Sequence, residues 1–441
     1  MGLIEQNIIE LAASSERERL HQIAMRWDAY YGRHRRPLRV LPGKFDDNVI
    51  VNYARVIVDK GVSFLFGDGV RFELDETNQT AAEVWLNDVW SRNRQATLLH
   101  KLALDGAICG HAFIKITNPT APRLVIVDPA TVQAFWLPDD VDEVVRYRIQ
   151  YPAIDPDTGK PVVMRQEIAR DGNVWRITDS RATGGGRFVV TGEQVWPKSW
   201  PPIIGCQNLP APHEFWGVSD LETDVMQIND AINRVASNIA RILRFHAHPR
   251  TWARGVAAGQ LRMDIGVDEI LTLPSPDAEL RNLEMSSDLQ SSLQFMMRLR
   301  EALHEISRVP EVATGAMERV GQLSGVALSI LYQPLIEKTL TKRMLYGDML
   351  VELNRRLLEL GGWGEDMRTT IHWPEMLPGD PLAARQVALL DQQLGVSRDT
   401  LLRQMGYDAD VESMKRAQEL SEDTERAVKA YWNGNPTAPT T

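Results

Sequence analysis

The sequence predicts an α+β fold, mainly helical, with one antiparallel β module in its first half. Two periodicities carry this reading. Apolar residues recur every three to four positions through the first third of the chain and again beyond residue 218. Between about 122 and 205 they alternate instead with polar ones. Composition adds a third observation: 441 residues, 44% hydrophobic and 24% charged, suffice to bury several cores. No run approaches the roughly 18 uninterrupted apolar residues of a membrane span, so a soluble protein with no membrane partner is expected.

The elements follow in chain order. "IEQNIIELAASSERERLHQIAMRWDAYYG" sets Ile4, Ile8, Leu11, Leu20, Ile23 and Trp27 at helical spacing, with Gly32 as the stop. A polar loop, "RHRRPLRVLPGKFDDN", leads to a second apolar helix, "VIVNYARVIVDKGVSFLFGDG", closed by Gly67 and Gly69 and followed by the strand-like "VRFEL". Residues 81 to 118 repeat the scheme with a tryptophan-bearing helix, the helix "ATLLHKLALDGAICG" and the strand "HAFIKI". The β module then runs through "RLVIVD", "VQAFWL", "VVRYRIQY", "VVMRQEIAR", "NVWRIT" and "RFVVTG", separated by "DPDTGK", "RDG" and "TGGGR". Phe135, Trp136, Tyr147, Tyr151 and Trp175 are expected to pack its faces.

"PPIIGCQNLPAPHEFWGVSDLE" is an extended connector ending near Ser219, which is expected to cap the next helix, with Glu222 completing a capping box. The long helix "DLETDVMQINDAINRVASNIARILRFHA" breaks at Pro249. A β-rich insert follows, then a second long helix, "SDLQSSLQFMMRLREALHEISRV", which stops at Pro310. "PEVATGAMERVGQLSG" is the loop into a helix running from about Gly325 to Leu360. Pro334, inside that helix, removes a hydrogen bond and is expected to kink it. "RTTIHWPEM" reads as one further strand, and short helices precede the tail "NGNPTAPTT".

Catalytic and metal chemistry is missing from this pattern. "GQLSG" lacks the lysine and hydroxyl of a phosphate-binding loop, so Ser324 is expected as an N-cap and the glycines as turn formers. His304 and Glu305 begin like a zinc-protease motif, but the second ligand position holds Arg308; an exposed polar site on the helix is expected. The nine histidines are scattered, and Cys109 and Cys206 are expected as free buried thiols. Asp139 and Asp140 beside Pro138 read as a turn. No cofactor and no metal are expected. The start of the chain lacks the basic segment, apolar middle and cleavage site of a signal peptide, so a cytoplasmic protein is expected.

The order of pieces is the informative signal. The chain resembles the portal proteins of tailed bacteriophages, the siphovirus-type family that forms the head-to-tail connector. The resemblance is carried by "WDAYYGRH", "NYARVIVDKGVSFLFGDGVRFE", "PAPHEFWGVSDLETDVMQINDAINRVASNI", "ISRVPEVATGAMERVGQLSGVAL" and "LGVSRDTLLRQMGYD", in the family's order. It implies a portal fold with wing, stem, clip and crown modules around a central channel, in a ring of about twelve copies. Residues 1–217 resemble the wing, 218–247 the first stem helix, 248–285 the clip and 286–309 the second stem helix. Residues 310–324 resemble the tunnel loop, 325–380 the long kinked helix with its return strand to the wing, 381–432 the crown and 433–441 a flexible tail.

The resemblance further implies partners: the large terminase subunit, major capsid and scaffold proteins, a head-completion adaptor, and double-stranded DNA passing without sequence specificity. It implies the virion portal vertex as location, with the bacterial cytoplasm during assembly, and no catalytic activity. Gly315, Gly321 and Gly325 suit a loop that turns tightly where many copies crowd. Thr314, Met317, Glu318, Arg319, Gln322 and Ser324 are the residues expected near DNA. Arg234, Arg241, Arg244, Arg298, Arg300 and Arg308 on the stem helices are expected to contact either DNA or acids of the adjacent subunit.

The charge fits a conduit. The chain carries 59 acidic and 49 basic residues, net −10, and a ring of such chains offers a polyanion few lasting contacts. Two other classes compete with this reading. One is a cytoplasmic α+β enzyme using residues 321–325 as an anion site, and the other is a different phage head structural ring protein. A small oligomer that loses function on Ser324→Ala would favour the enzyme. Chain length and the helix–insert–helix order argue against an adaptor ring.

Overall fold

The computed structural model describes residues 3–40, 42–43, 45–67, 69–75, 80–155, 158–182, 186–247, 250–255, 277, 279–283, 289–314, 325–364, 366–377, 381–404 and 409–434. The chain divides into two compact units. One comprises Met1–Leu323 and Ala327–Met376; the other comprises Ser324–Val326 and Leu377–Thr441.

The first unit opens with helices α1 (Leu3–Tyr30) and α2 (Tyr53–Phe66), then strand β1 (Arg71–Leu74), helices α3 (Thr80–Arg92) and α4 (Gln95–Cys109), and strand β2 (His111–Thr117). Helix α2 starts where the Asn52 side chain accepts the Arg55 N–H, filling one of the donors a helix start leaves open. It ends at Gly67, whose N–H bonds the Ser63 carbonyl. Its buried positions, Ala54, Ile57, Val58, Gly61, Val62 and Leu65, follow the helical repeat and face α4. Helix α4 ends at Gly110, with φ +87, where the chain must turn left-handed. A Cβ there would also overlap the Gly217 carbonyl, so glycine lets the connector before α5 lie against the end of α4.

The alternating segment forms strands β3 (Arg123–Val127), β4 (Val132–Leu137), β5 (Asp140–Ile154), β6 (Pro161–Asp171), β7 (Val174–Ala182) and β8 (Val189–Trp196), and the start of the stretch expected as a connector is a further strand, β9 (Ile203–Gln207). The sequence suggests one sheet, whereas the structure distributes these strands over two. The order β4-β5-β6-β7-β8 is an antiparallel meander, while β3 and β9 flank β2 in a three-stranded sheet. Alternation gives strand identity but not partner, and β2 precedes the alternating segment. Trp175 and Tyr147 are buried in the core, and Trp136 packs against it. Phe135 lies under the guanidinium of Arg146 at 4.0 Å. Tyr151, expected to pack a sheet face, is instead 43% exposed near the end of the long β5 strand.

Helix α5 (Thr223–Ala247) and helix α6 (Leu289–Ser307) pack on one another and bracket the antiparallel pair β10 (Arg250–Arg254) and β11 (Glu279–Leu283). Helix α7 (Gly325–Leu360) runs helical through Pro334. Strand β12 (Thr369–His372) then pairs antiparallel with β1, so the chain returns to its first module. The second unit consists of α8 (Pro381–Gln393), α9 (Arg398–Gln404) and α10 (Ala409–Gly434), with α9 packed on both of its neighbours.

Two local expectations are corrected. Ser219 does not cap α5, which begins four residues later at Thr223. Its buried hydroxyl lies 2.8 Å from the carbonyls of Ala107 and Ile108 and accepts the Leu221 N–H, tying the connector to the end of α4. His304 is not an exposed helix position but is 8% exposed, with Nδ1 2.8 Å from the Val309 carbonyl. Both free thiols, Cys109 and Cys206, are buried as expected. No helix of the described residues is long and apolar enough to cross a membrane.

Candidate functional site: the frame of the glycine-serine loop

Of the residues expected in the loop, Gly315, Met317, Glu318, Arg319, Gly321, Gln322 and Ser324 lie outside the described residues. The structure describes what holds the two ends. Thr314 closes a short 3-10 helix, Glu311–Thr314, and Gly325 is the first residue of α7. The entry side is fixed by a turn at Arg308, with φ +58, that places Val309 and Ala313 in the core. Arg300 on α6 pairs with Glu311 at 2.7 Å and braces that turn.

The exit side is fixed by buried charge. Asp220, in the connector before α5, accepts Lys338 at 3.1 Å and Lys342 at 2.5 Å, both on α7. All three are less than a tenth exposed. Lys338 also donates to the Ser307 carbonyl at 3.1 Å, satisfying an acceptor that the end of α6 leaves open. The cluster therefore joins the end of α6, the approach to α5 and the second third of α7, the elements that carry the loop.

The electrostatics of the cluster are asymmetric. Burial pushes the Asp220 carboxyl up, but the two ammonium groups more than offset this and hold it at about 2. Burial pulls Lys342 down to about 8, with Asp220 opposing and Lys338 reinforcing the shift. The cluster sets the Asp220 carboxylate between the two lysine side chains, with the Ser307 carbonyl and the Asn208 amide, 3.3 Å from Asp220, completing its bonds.

Beyond the cluster, α7 is a core element. Leu335, Tyr346, Leu350, Leu353 and Leu357 are fully buried, each stabilising the fold by about 1.5–3 kcal/mol. Gly106 of α4 sits against Tyr346 so closely that a Cβ would overlap the phenol. Asn354 accepts Trp90 Nε1 at 2.8 Å and donates to the Thr369 hydroxyl at 3.1 Å, linking α3 to β12. Helix α7 beyond Ala327 is thus packed into the first unit.

The six stem arginines fall in different settings. Arg241 and Arg244 on α5 both reach the buried carboxylate of Asp47, at 3.3 and 2.8 Å. Arg298 pairs with Glu301 at 2.8 Å and Arg300 with Glu311, while Arg234 and Arg308 are exposed. Four of the six therefore already hold a carboxylate of their own chain. Sequence reasoning missed Asp220, Lys338 and Lys342. The signal was present: "LIEKTLTKRML" places two lysines four apart on the face that also carries Leu335 and Thr339.

Helices α5 and α6 pack on one another, with the strand pair β10–β11 between them in sequence, beside a body of helices and sheets. Comparison with known families gives the assignment. The chain belongs to the phage portal protein family of the SPP1 Gp6-like type, which it matches over residues 13–430. That family is structural and non-enzymatic. No curated protein matches the chain.

Solved structures similar to the chain include three from gene transfer agent (GTA) particles. A chain of the virion of a native GTA particle shares 15% identity, with TM-score 0.42, over 84% of this chain and 95% of that one. One from the neck of an empty GTA particle computed with C6 symmetry shares 13%, with TM-score 0.46, over 84% and 95%. One from the neck of a native GTA particle computed with C12 symmetry shares 14%, with TM-score 0.40, over 80% and 88%.

Proposed function

We propose that this portal-family chain forms a ring of about twelve copies at one capsid vertex, the heterologous contact of each copy closing on the next. Its channel passes double-stranded DNA into the capsid and later out of it. The observation that carries the proposal is the family match across residues 13–430. The mounting of both loop ends on rigid elements and the net charge of −10 are compatible with a conduit along which a polyanion slides.

In this reading residues 1–217 are the wing, 218–247 and 286–309 the stem, 248–285 the clip, 310–324 the tunnel loop and 381–432 the crown. The clip docks the large terminase subunit and later the head-completion adaptor, and the outer surfaces meet capsid and scaffold. Thr314 to Gly325 line the narrowest part of the channel, and exposed Arg234 and Arg308 face DNA or the adjacent copy. The test is packaging by a Gly321→Val, Gly325→Val double variant in a terminase-driven assay. Assembled rings with DNA packaging reduced at least tenfold are expected. Packaging at the wild-type level would remove the loop from the channel.

A further inference from the structure

Strand β3 is one edge of the three-stranded sheet, and a groove of about 730 Å³ is lined by it and by the α4 residues from Thr97 to Asp105. The direction of the strand's backbone groups follows from its neighbours. The Ile116 N–H bonds the Pro202 carbonyl on the β9 side, so by antiparallel alternation Lys115 and Thr117 turn theirs to Val125 and Arg123 of β3. Leu124 and Ile126 therefore turn N–H and C=O away from the sheet. The Leu124 N–H is taken by the Asn93 side chain at 2.9 Å. Among the described residues the Leu124 carbonyl and both groups of Ile126 have no partner. At the opposite edge of the sheet, Arg356 donates to the Pro201 and Ile203 carbonyls.

The groove is also charged. Arg94, Lys101 and Arg123 are exposed along it and make no ion pair among the described residues, whereas Arg92 is engaged by Asp88 at 2.7 Å. Two carboxyls share the lining. Asp128 accepts the Ala130 N–H at 2.9 Å, and burial and Asp128 push the Asp105 acid up to about 7 against the pull of Lys101. On a chain of net −10, three cations without an ion pair beside an open strand edge are a local inversion of charge. Arg94 is strained as well: it holds φ +54 and ψ +58 just before α4, and its side chain makes no capping bond. Glycine adopts that conformation freely, so the fold by itself does not call for an arginine there.

Open acceptors and a donor along a strand edge are what the main chain of an extended peptide pairs with. A DNA sugar–phosphate backbone carries acceptors alone and leaves the Leu124 and Ile126 carbonyls unsatisfied. The cations select the side chains that such a peptide brings. We propose that the groove between β3 and α4 binds an extended acidic segment of a partner protein, added as a further strand on β3, with its carboxylates on Arg94, Lys101 and Arg123. The site is independent of ring closure and of the channel.

The test uses the full chain and a fluorescein-labelled probe peptide, Glu-Val-Glu-Val-Glu with blocked ends, followed by anisotropy. Saturable binding is expected, at least tenfold weaker for Arg94→Gly and for Arg123→Gln. The same loss is expected when the probe carries amides in place of its carboxylates, or methyl groups on its backbone nitrogens. Arg94→Gly should melt at or above the wild-type temperature, which separates a lost contact from a lost fold. Wild type that does not bind the probe, or variants that bind it as wild type does, overturn the proposal. Undiminished binding of the N-methylated probe overturns the strand addition. A labelled DNA duplex that binds through the same arginines more tightly than the probe assigns the groove to nucleic acid and overturns it too. Each of these outcomes leaves the ring reading where it stands.

Discussion

Helices α6 and α7 are neighbours in sequence and both are long, yet they differ in what covers them. One face of α7 is sealed by its own chain, with Leu335, Tyr346, Leu350, Leu353 and Leu357 fully buried and its two lysines gripping Asp220, while Ile330, Leu340 and Met344 on its other faces are exposed. Helix α6 buries only residues near its C-terminal end and leaves Leu293, Phe295 and Met297 exposed. The second unit resembles α6 in this respect, with Leu394 83% and Met414 73% exposed. Burial within the chain marks what folds alone, and on the reading proposed above the exposed apolar side chains are surfaces for further chains of the ring. The loop lies where the two regimes meet.

The sharpest way to break this comparison is to remove the charge that joins the regimes. Asp220→Ala strands two buried ammonium groups and should cost about 3–5 kcal/mol in urea unfolding of the monomer. A loss under 1 kcal/mol would mean that the cluster does not hold α7 to the connector. Leu353→Ala should cost about 2–5 kcal/mol by leaving a cavity in the core. The corresponding change on the open helix, Phe295→Ala, should move monomer stability by less than about 0.5 kcal/mol. Equal losses at the two sites would erase the distinction.

Acid sharpens the comparison further. The Asp220 carboxyl sits near 2 when folded, against an ordinary value of 3.8. Its stabilisation is therefore complete above about pH 4 and is lost as pH falls toward 2, amounting to about 2 kcal/mol. Asp220→Asn should flatten that part of the stability profile. Lys342 acts with the same sign in a higher pH window. Its folded value of about 8 lies below the ordinary 10.5, so the unfolded chain binds the extra proton between the two. Its contribution to stability therefore rises with pH across that window. The smallest effect is expected at Leu394→Ser, within about 0.5 kcal/mol for the monomer.

Much of the fold was legible because it follows local periodicity and punctuation. The helices up to Cys109, the strands of the alternating segment, the stops before Pro249 and Pro310, and the late strand itself all follow from these signals, while its return to the first module was implied only by the family resemblance. The partners of β3 and β9 did not, because alternation carries no information about which edge a strand joins. Ser219 resembles a helix cap in sequence but spends its hydroxyl on α4, a contact 111 and 112 residues away along the chain. His304 sits among polar residues, and only the turn at Arg308 brings a carbonyl to it. The buried lysines were hidden for the same reason, since a lysine's usual place is solvent and its partner lay 118 and 122 positions upstream.

The central claim is that copies of this chain complete one another. Native mass spectrometry of the purified wild-type protein over a wide concentration range tests it most directly. The account predicts a closed species of about twelve copies that grows in with concentration. A chain that remains one or two copies at every concentration and salt would contradict it.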